Sequence, residues 1–201
     1  MKQISILLLL GVALSFCNLT TKTKKVGTPA DDDTTPEHAQ LTAAQTAALT
    51  GGQSVNWGQQ GISWSVPPRW IKISDEPNNY IWHSAGDGDA AILDGTVSAG
   101  MAENFPIQAS LKQTYDGART RMKNGELDQL RWLEIDGVKG VQFRESNPAK
   151  PDNLRRMQWI AFRKYAGQIQ QLNITLYSNS KGFTAHEDEI YGVLYSMKIA
   201  R

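Results

Sequence analysis

The chain has 201 residues, with 21 lysines and arginines against 20 aspartates and glutamates and a formal net charge of +1. That balance, kept in the stretch from residue 54 onward, excludes the basic excess of a duplex-binding surface, so no nucleic-acid partner is expected. A single cysteine excludes a disulfide framework.

In chain order, Lys2 supplies a positive start, Ile4 to Val12 an apolar core of secretory-signal length, and polar residues follow Cys17. The run is too short for a spanning helix, which needs about 20 apolar residues. Exported chains usually pair their cysteines, so the lone Cys17 at the edge of "LLLLGVALSFCN" calls for a special role. The segment resembles a bacterial lipoprotein signal. Leu14 and Ser15 match the pattern at the third and second positions before the cysteine, and Phe16 departs from the small residue usual just before it. The resemblance implies that residues 1–16 form a signal peptide, that the Cys17 sulfur carries diacylglycerol, and that the new amino terminus takes a further acyl chain such as palmitate. Apolar burial at about 0.8 kcal/mol per CH₂ then makes release from the bilayer negligible. Asn18, in place of the aspartate that retains such proteins in the inner membrane of some bacteria, points to the outer membrane and an exported, periplasmic-side location. The alternative is a leader cut elsewhere, without lipid.

Residues 17–53 read as the attachment cysteine and a flexible linker, rich in Thr, Ala, Asp, Gln and Pro and without an aromatic residue. A coil of that length reaches about 30–35 Å root-mean-square. Within it "KTKK" and "DDD" read as solubilising charge, and "LTAAQTAAL" as a helical turn or two.

Residues 54–201 hold all six tryptophans and read as one domain. In "GISWSVPPRWIKIS", Ile62, Trp64 and Val66 alternate with serines as a half-buried strand; Pro67 and Pro68 stop it before a second strand at Trp70 to Ile73. "NYIWHS" and "AILDGTVSA" are further strands. Ser110-x-x-Gln113 predicts a capped helix with the stripe Leu111, Tyr115, Ala118 and Met122, closed by Asn124-Gly125. "QLRWLEI" and "VKGVQFRE" form a hairpin around Asp136-Gly137, and "RRMQWIAFRK" and "QIQQLNITLYS" another around Ala166-Gly167. Thr184-x-x-Glu187 predicts a final helix that buries Ile190, Val193, Leu194 and Met197. The expected fold is α+β: an antiparallel sheet of about six to eight strands with helices on its faces, an α/β/α sandwich.

The proline-stopped "ISWSVPPRW", the hairpins and the terminal "DEIYGVLYSMKI" together resemble the PsbP-like fold. It is shared by the PsbP proteins of photosystem II, the Mog factors that bind Ran, and bacterial PsbP-like lipoproteins, and the likeness covers nearly all of residues 57–201. The resemblance implies a binding or assembly role, with no catalytic residues and no cofactor to carry over.

Other motifs read as structure. "GDGDAA" leads into a strand, where a dinucleotide site needs a helix, and is a surface turn. Asp87, Asp89 and Asp94 lack the rest of a calcium loop. His186 with Glu189 lacks a third metal ligand, so no metal is expected; His186 borders the helix stripe as a packing residue. Ser178-x-x-Lys181 lacks the Lys-Thr-Gly strand of acyl-transfer enzymes. The expected partner-binding residues are Trp57 and Trp70, at strand edges, and Arg119, Arg121 and Lys123, a basic helix end. The function this supports is a lipid-anchored envelope domain that docks an unidentified envelope protein without catalysis. An enzyme with dispersed catalytic residues, or a small-molecule binder with a pocket between sheet and helix, are the alternatives.

Overall fold

The computed structural model describes residues 34–85 and 89–201. The leader, Cys17, the "KTKK" and "DDD" runs and residues 86–88 of the glycine-rich turn lie outside the described residues. The compact unit runs from Thr34 to Arg201. The folded body therefore starts at Thr34, not at residue 54, and the second half of the expected linker is part of it. The reason is local. Thr42 caps a short helix, its hydroxyl accepting from Gln45 N while Gln45 Oε1 accepts from Thr42 N, and Leu49 and Ala39 pack on the core.

The strands are β1 (Glu37–His38), β2 (Gln53–Trp57), β3 (Ile62–Val66), β4 (Ile71–Asp75), β5 (Asn79–His83), β6 (Ile92–Met101), β7 (Leu127–Ile135), β8 (Val138–Glu145), β9 (Leu154–Tyr165), β10 (Gln168–Asn179) and β11 (Lys198–Ile199). The helices are α1 (Ala43–Leu49), α2 (Ile107–Lys123), α3 (Ser180–Ala185) and α4 (Glu187–Tyr195). Eight strands form one sheet in the order β1-β7-β8-β9-β10-β6-β5-β4; β11-β3-β2 form a second, small one. All pairings are antiparallel except that of β1 with β7. The α+β sandwich expected from the sequence is the fold found.

Both hairpins close as predicted. Asp136 and Gly137 take φ of 49° and 76°, and Ala166 and Gly167 take 50° and 76°, the paired positive angles that match the sheet twist. Two predicted caps are misplaced. Helix α2 begins at Ile107, with Pro106 in the cap position and no side-chain cap, and Ser110 lies inside it. Thr184 lies inside α3, which Asn179 caps by accepting from Gly182 N; α4 follows directly behind His186.

Strand alternation separates two cores. On one face Trp82, Leu93, Trp159, Leu172, Ile174 and Leu176 meet the small sheet, α3 and α4 in the larger cluster. On the other, Leu111 and Ala118 of α2 meet Trp132, Val141, Phe143 and Phe162. Met122, the last residue of the predicted stripe, is exposed. Helix α2 packs against β7, β8 and β9, and among the described residues no helix packs on its side of β10, β6, β5 and β4.

Candidate interaction surface

Two of the expected docking residues are core residues. Trp57 and Trp70 are each 2% exposed, so neither offers its ring to a partner. Trp57 ends β2, a strand whose "QSVNW" carries too few apolar residues to announce itself. Its indole donates to Glu76 O at 3.1 Å. Trp70 follows a tight turn in which its N–H donates to Pro67 O and Arg69 takes φ 71°. That turn swings the ring inward, where Nε1 donates to Glu189 Oε2 at 2.7 Å. At the end of α2, Arg121 lies 3.2 Å from Glu126 and 3.7 Å from Glu145, over the Phe143 ring; Arg119 and Lys123 are exposed.

The remaining motifs are structural joints. Ser178 Oγ donates to Asp89 O at 3.0 Å and Lys181 Nζ to Asp89 Oδ2 at 2.7 Å, so the Ser-x-x-Lys pair pins the glycine-rich turn to α3. Hydrogen bonds from Asn179 and then Lys181 hold the Asp89 carboxyl below the usual carboxylate range. Asp94 accepts from Asn79 Nδ2 at 2.9 Å. His186 Nδ1 lies 3.3 Å from Glu189 Oε1. Among the described residues no group of three or more His, Cys, Asp or Glu is arranged to hold a metal.

Among the described residues, one half of the large sheet has a face on which no helix packs. The register aligns Ile71 with His83, His83 with Ile92, Ile92 with Tyr177 and Tyr177 with Arg156. Directly opposed residues share a face, so these five make one row across β4, β5, β6, β10 and β9. Its neighbours Trp82, Leu93, Leu176 and Met157 are all in the core, which fixes the row on the open side. A second row runs Ser74, Ile81, Asp94, Thr175 and Gln158. Burial raises the Tyr177 phenol, helped by the Asp94 charge and opposed by Arg156, so the ring is partly sheltered between a carboxylate and a guanidinium. Tyr177 and Arg156 are of the residue types enriched at interfaces, and Arg156 pairs with Glu145 at the end of the row. At its border lies edge strand β4, with Ile71 51% and Ile73 58% exposed. Ile73 falls at an irregularity between Lys72 and Ser74 in the pairing with β5.

The opposite face carries a polar cleft of about 430 Å³ between β7, β8, α1 and α4. Arg131 donates to Gln142 Oε1 and Glu37 Oε2, both at 2.7 Å, and to the Tyr195 hydroxyl. Arg144 donates to Asp128 Oδ1 and Glu187 Oε1, both at 2.7 Å, and Tyr191 to Gln129 Oε1 at 2.6 Å. Burial pushes the Tyr195 phenol up to about 12 and raises that of Tyr191. Burial alone would lower Arg144, but the Asp128 hydrogen bond and the surrounding negative groups hold it above its ordinary value. Each guanidinium is already matched to a carboxylate, so this layer is a joint between sheet and helices.

No protein-family model matches the chain, and no curated protein matches it. Solved structures do. LpqN, involved in cell envelope biogenesis of Mycobacterium tuberculosis, is similar with a TM-score of 0.51 at 14% identity, over 83% of this chain and 90% of that one. Cyanobacterial PsbP (CyanoP) from Synechocystis sp. PCC 6803 gives 0.47 at 10% identity, over 74% and 92%. The Ran-binding protein Mog1p of Saccharomyces cerevisiae gives 0.43 at 9% identity, over 74% and 95%. A Bacteroides thetaiotaomicron protein is also similar, and this chain spans about half (49%) of its length. At these identities the likeness is one of fold: the chain shares the fold of LpqN, and PsbP and Mog1p, whose families the sequence resembles, are among the structures similar to it.

Proposed function

We propose that the protein is an envelope binding or assembly module that docks another protein without catalysis and is held at the membrane through lipid on Cys17. The observation that carries the docking reading is the row Ile71, His83, Ile92, Tyr177 and Arg156, which crosses five strands with no helix over it among the described residues and ends at an edge strand with two exposed isoleucines. A partner laid there buries the row, and the free hydrogen-bonding edge of β4 can add a strand to it. The anchor reading rests on the position of Cys17 behind an apolar leader.

Photo-crosslinking residues placed at Ile81 or Ile92 test the docking face in cells of the native host. A discrete adduct from either position, absent when the probe replaces the exposed Gln113 of α2, is the expected result. No adduct from any position on the open face sinks the reading. Mass spectrometry of the mature amino terminus tests the anchor: a diacylglyceryl-modified Cys17 supports it, and an unmodified terminus at another residue removes it.

A further inference from the structure

A second site lies under the start of α2, beside the β7–β8 turn. It is a cavity of about 320 Å³, within the range of about 300–1,000 Å³ typical of small-molecule pockets. Its apolar lining comes from Ile107, Leu111, Val138 and Phe162, the last three of them buried. Its charged lining is Lys139, Arg163, Lys164 and Arg201, and none of its lining residues is acidic.

Arg121, Arg131, Arg144, Arg155 and Arg156 each meet a carboxylate. Among the described residues, none of the four around the cavity does. Arg163 is 3% exposed, and its guanidinium is held only by neutral oxygens: Gln170 Oε1 at 3.0 Å, Ala200 O at 2.8 Å and Gln60 O. Burial without a carboxylate lowers its basicity, the Tyr165 phenol opposing the shift only in part. Arg201 donates to a carbonyl, Asp136 O, at 2.8 Å, and Lys139 Nζ sits 4.6 Å from the centre of the Trp132 ring. The nearest acid in sequence, Asp136, is engaged elsewhere, accepting from Ile199 N at 2.8 Å. Glu134 lies across from Lys139 in the register, yet no carboxylate among the described residues pairs with any of the four cations, and a wall with an excess of positive charge raises the local concentration of anions.

We infer that this cavity binds a small soluble amphiphile with one anionic head, a carboxylate or monoester phosphate, on a short hydrocarbon tail. The tail lies against Leu111, Val138 and Phe162; the head meets Lys139, Lys164 and Arg201 at the rim. The site is independent of the open sheet face, so its failure leaves the docking proposal intact.

The test is calorimetric titration of the purified protein with decanoate below its micelle concentration. Decyl maltoside and decyltrimethylammonium serve as neutral and cationic controls with the same tail. The expected result is saturable binding of one decanoate per chain and none of either control. Lys139→Glu with Lys164→Glu weakens decanoate binding at least tenfold while thermal unfolding stays within a few degrees of the parent. Ile107→Trp, which fills the cavity, abolishes binding in a folded chain. Equal binding of the three amphiphiles, no saturable decanoate binding, or full affinity in the double-glutamate chain overturns the inference. So does binding to phosphatidylglycerol vesicles without binding of free decanoate, which assigns the basic rim to a bilayer instead.

Discussion

Trp70 and Glu189 lie 119 positions apart and are joined by a 2.7 Å hydrogen bond from the indole nitrogen to the carboxylate. The contact ties the turn before edge strand β4 to the first turn of α4, so it sets where the exposed strand leaves the body. Glu189→Ala strands a buried donor, which costs about 1–3 kcal/mol. Glu189→Gln keeps an acceptor in place and costs much less. Urea unfolding of the two variants checks the difference; equal losses show that the carboxylate is not the relevant partner.

The open face makes a separate prediction about stability and binding. Ile73 is 58% exposed on an edge strand, and substitutions at such positions usually change stability by no more than about 0.5 kcal/mol. Ile73→Lys is therefore expected to unfold like the parent while losing the crosslinked adduct formed from Ile92, because lysine on an edge blocks strand addition. An undiminished adduct shows that β4 takes no part in docking.

The body begins earlier than its composition implies, and truncation measures the consequence. A Cβ on Gly192 of α4 would sit 3.3 Å from Gln45 O and from Leu49 Cγ, so α1 lies close against that helix. A chain starting at residue 53 loses Leu49 and Ala39 from the core and the short β1 cover on β7. Relative to one starting at Thr34, it is expected to be less stable by about 2 kcal/mol, the worth of burying one large aliphatic side chain. Equal urea midpoints identify residues 34–52 as a true linker.

The hairpins were readable because both of their signals are local: alternation with period two, and a turn pair such as Asp136-Gly137 that accepts positive φ. Other elements were hidden for equally local reasons. In "QSVNW" only Val55 and Trp57 are buried, and α1 draws its stability from a capping box and contact with α4 rather than from an apolar stripe. The Ser110 and Thr184 motifs have the right residue types inside helices that start elsewhere. The candidate site was less legible than the fold. Its central row takes one residue from each of five strands, and only the pairing registers bring Ile71 and Arg156 into line. Conversely, an edge-like sequence position said nothing of burial at Trp57 and Trp70, because burial there depends on the second sheet and on a turn at Arg69.

The Ala166-Gly167 turn carries a correctable strain. Ala166 holds φ 50°, a region in which a non-glycine L-residue is uncommon and asparagine is several-fold enriched. Ala166→Asn keeps the hairpin and relieves that conformation, with an expected gain of about 0.5–1 kcal/mol. Thermal unfolding reads it directly: an unchanged or lower midpoint shows that the turn does not limit stability.

Tyr195 predicts how the protein responds to alkali. Its hydroxyl is buried against Arg131 and Gln142, and burial lifts its pKa from the ordinary 10.0 to about 12. The unfolded chain releases this proton near pH 10, whereas the folded chain holds it until about pH 12. Between those values the folded state binds more protons, so stability falls with rising pH, by at most about 1.4 kcal/mol for each unit from this group. Below pH 10 its contribution is complete. Tyr191 shifts the same way, so Tyr195→Phe is expected to flatten the decline without abolishing it. Urea midpoints at pH 9, 10.5 and 11.5 for parent and variant measure the two slopes; parallel slopes show that the phenol ionises in the folded protein as easily as in the unfolded one.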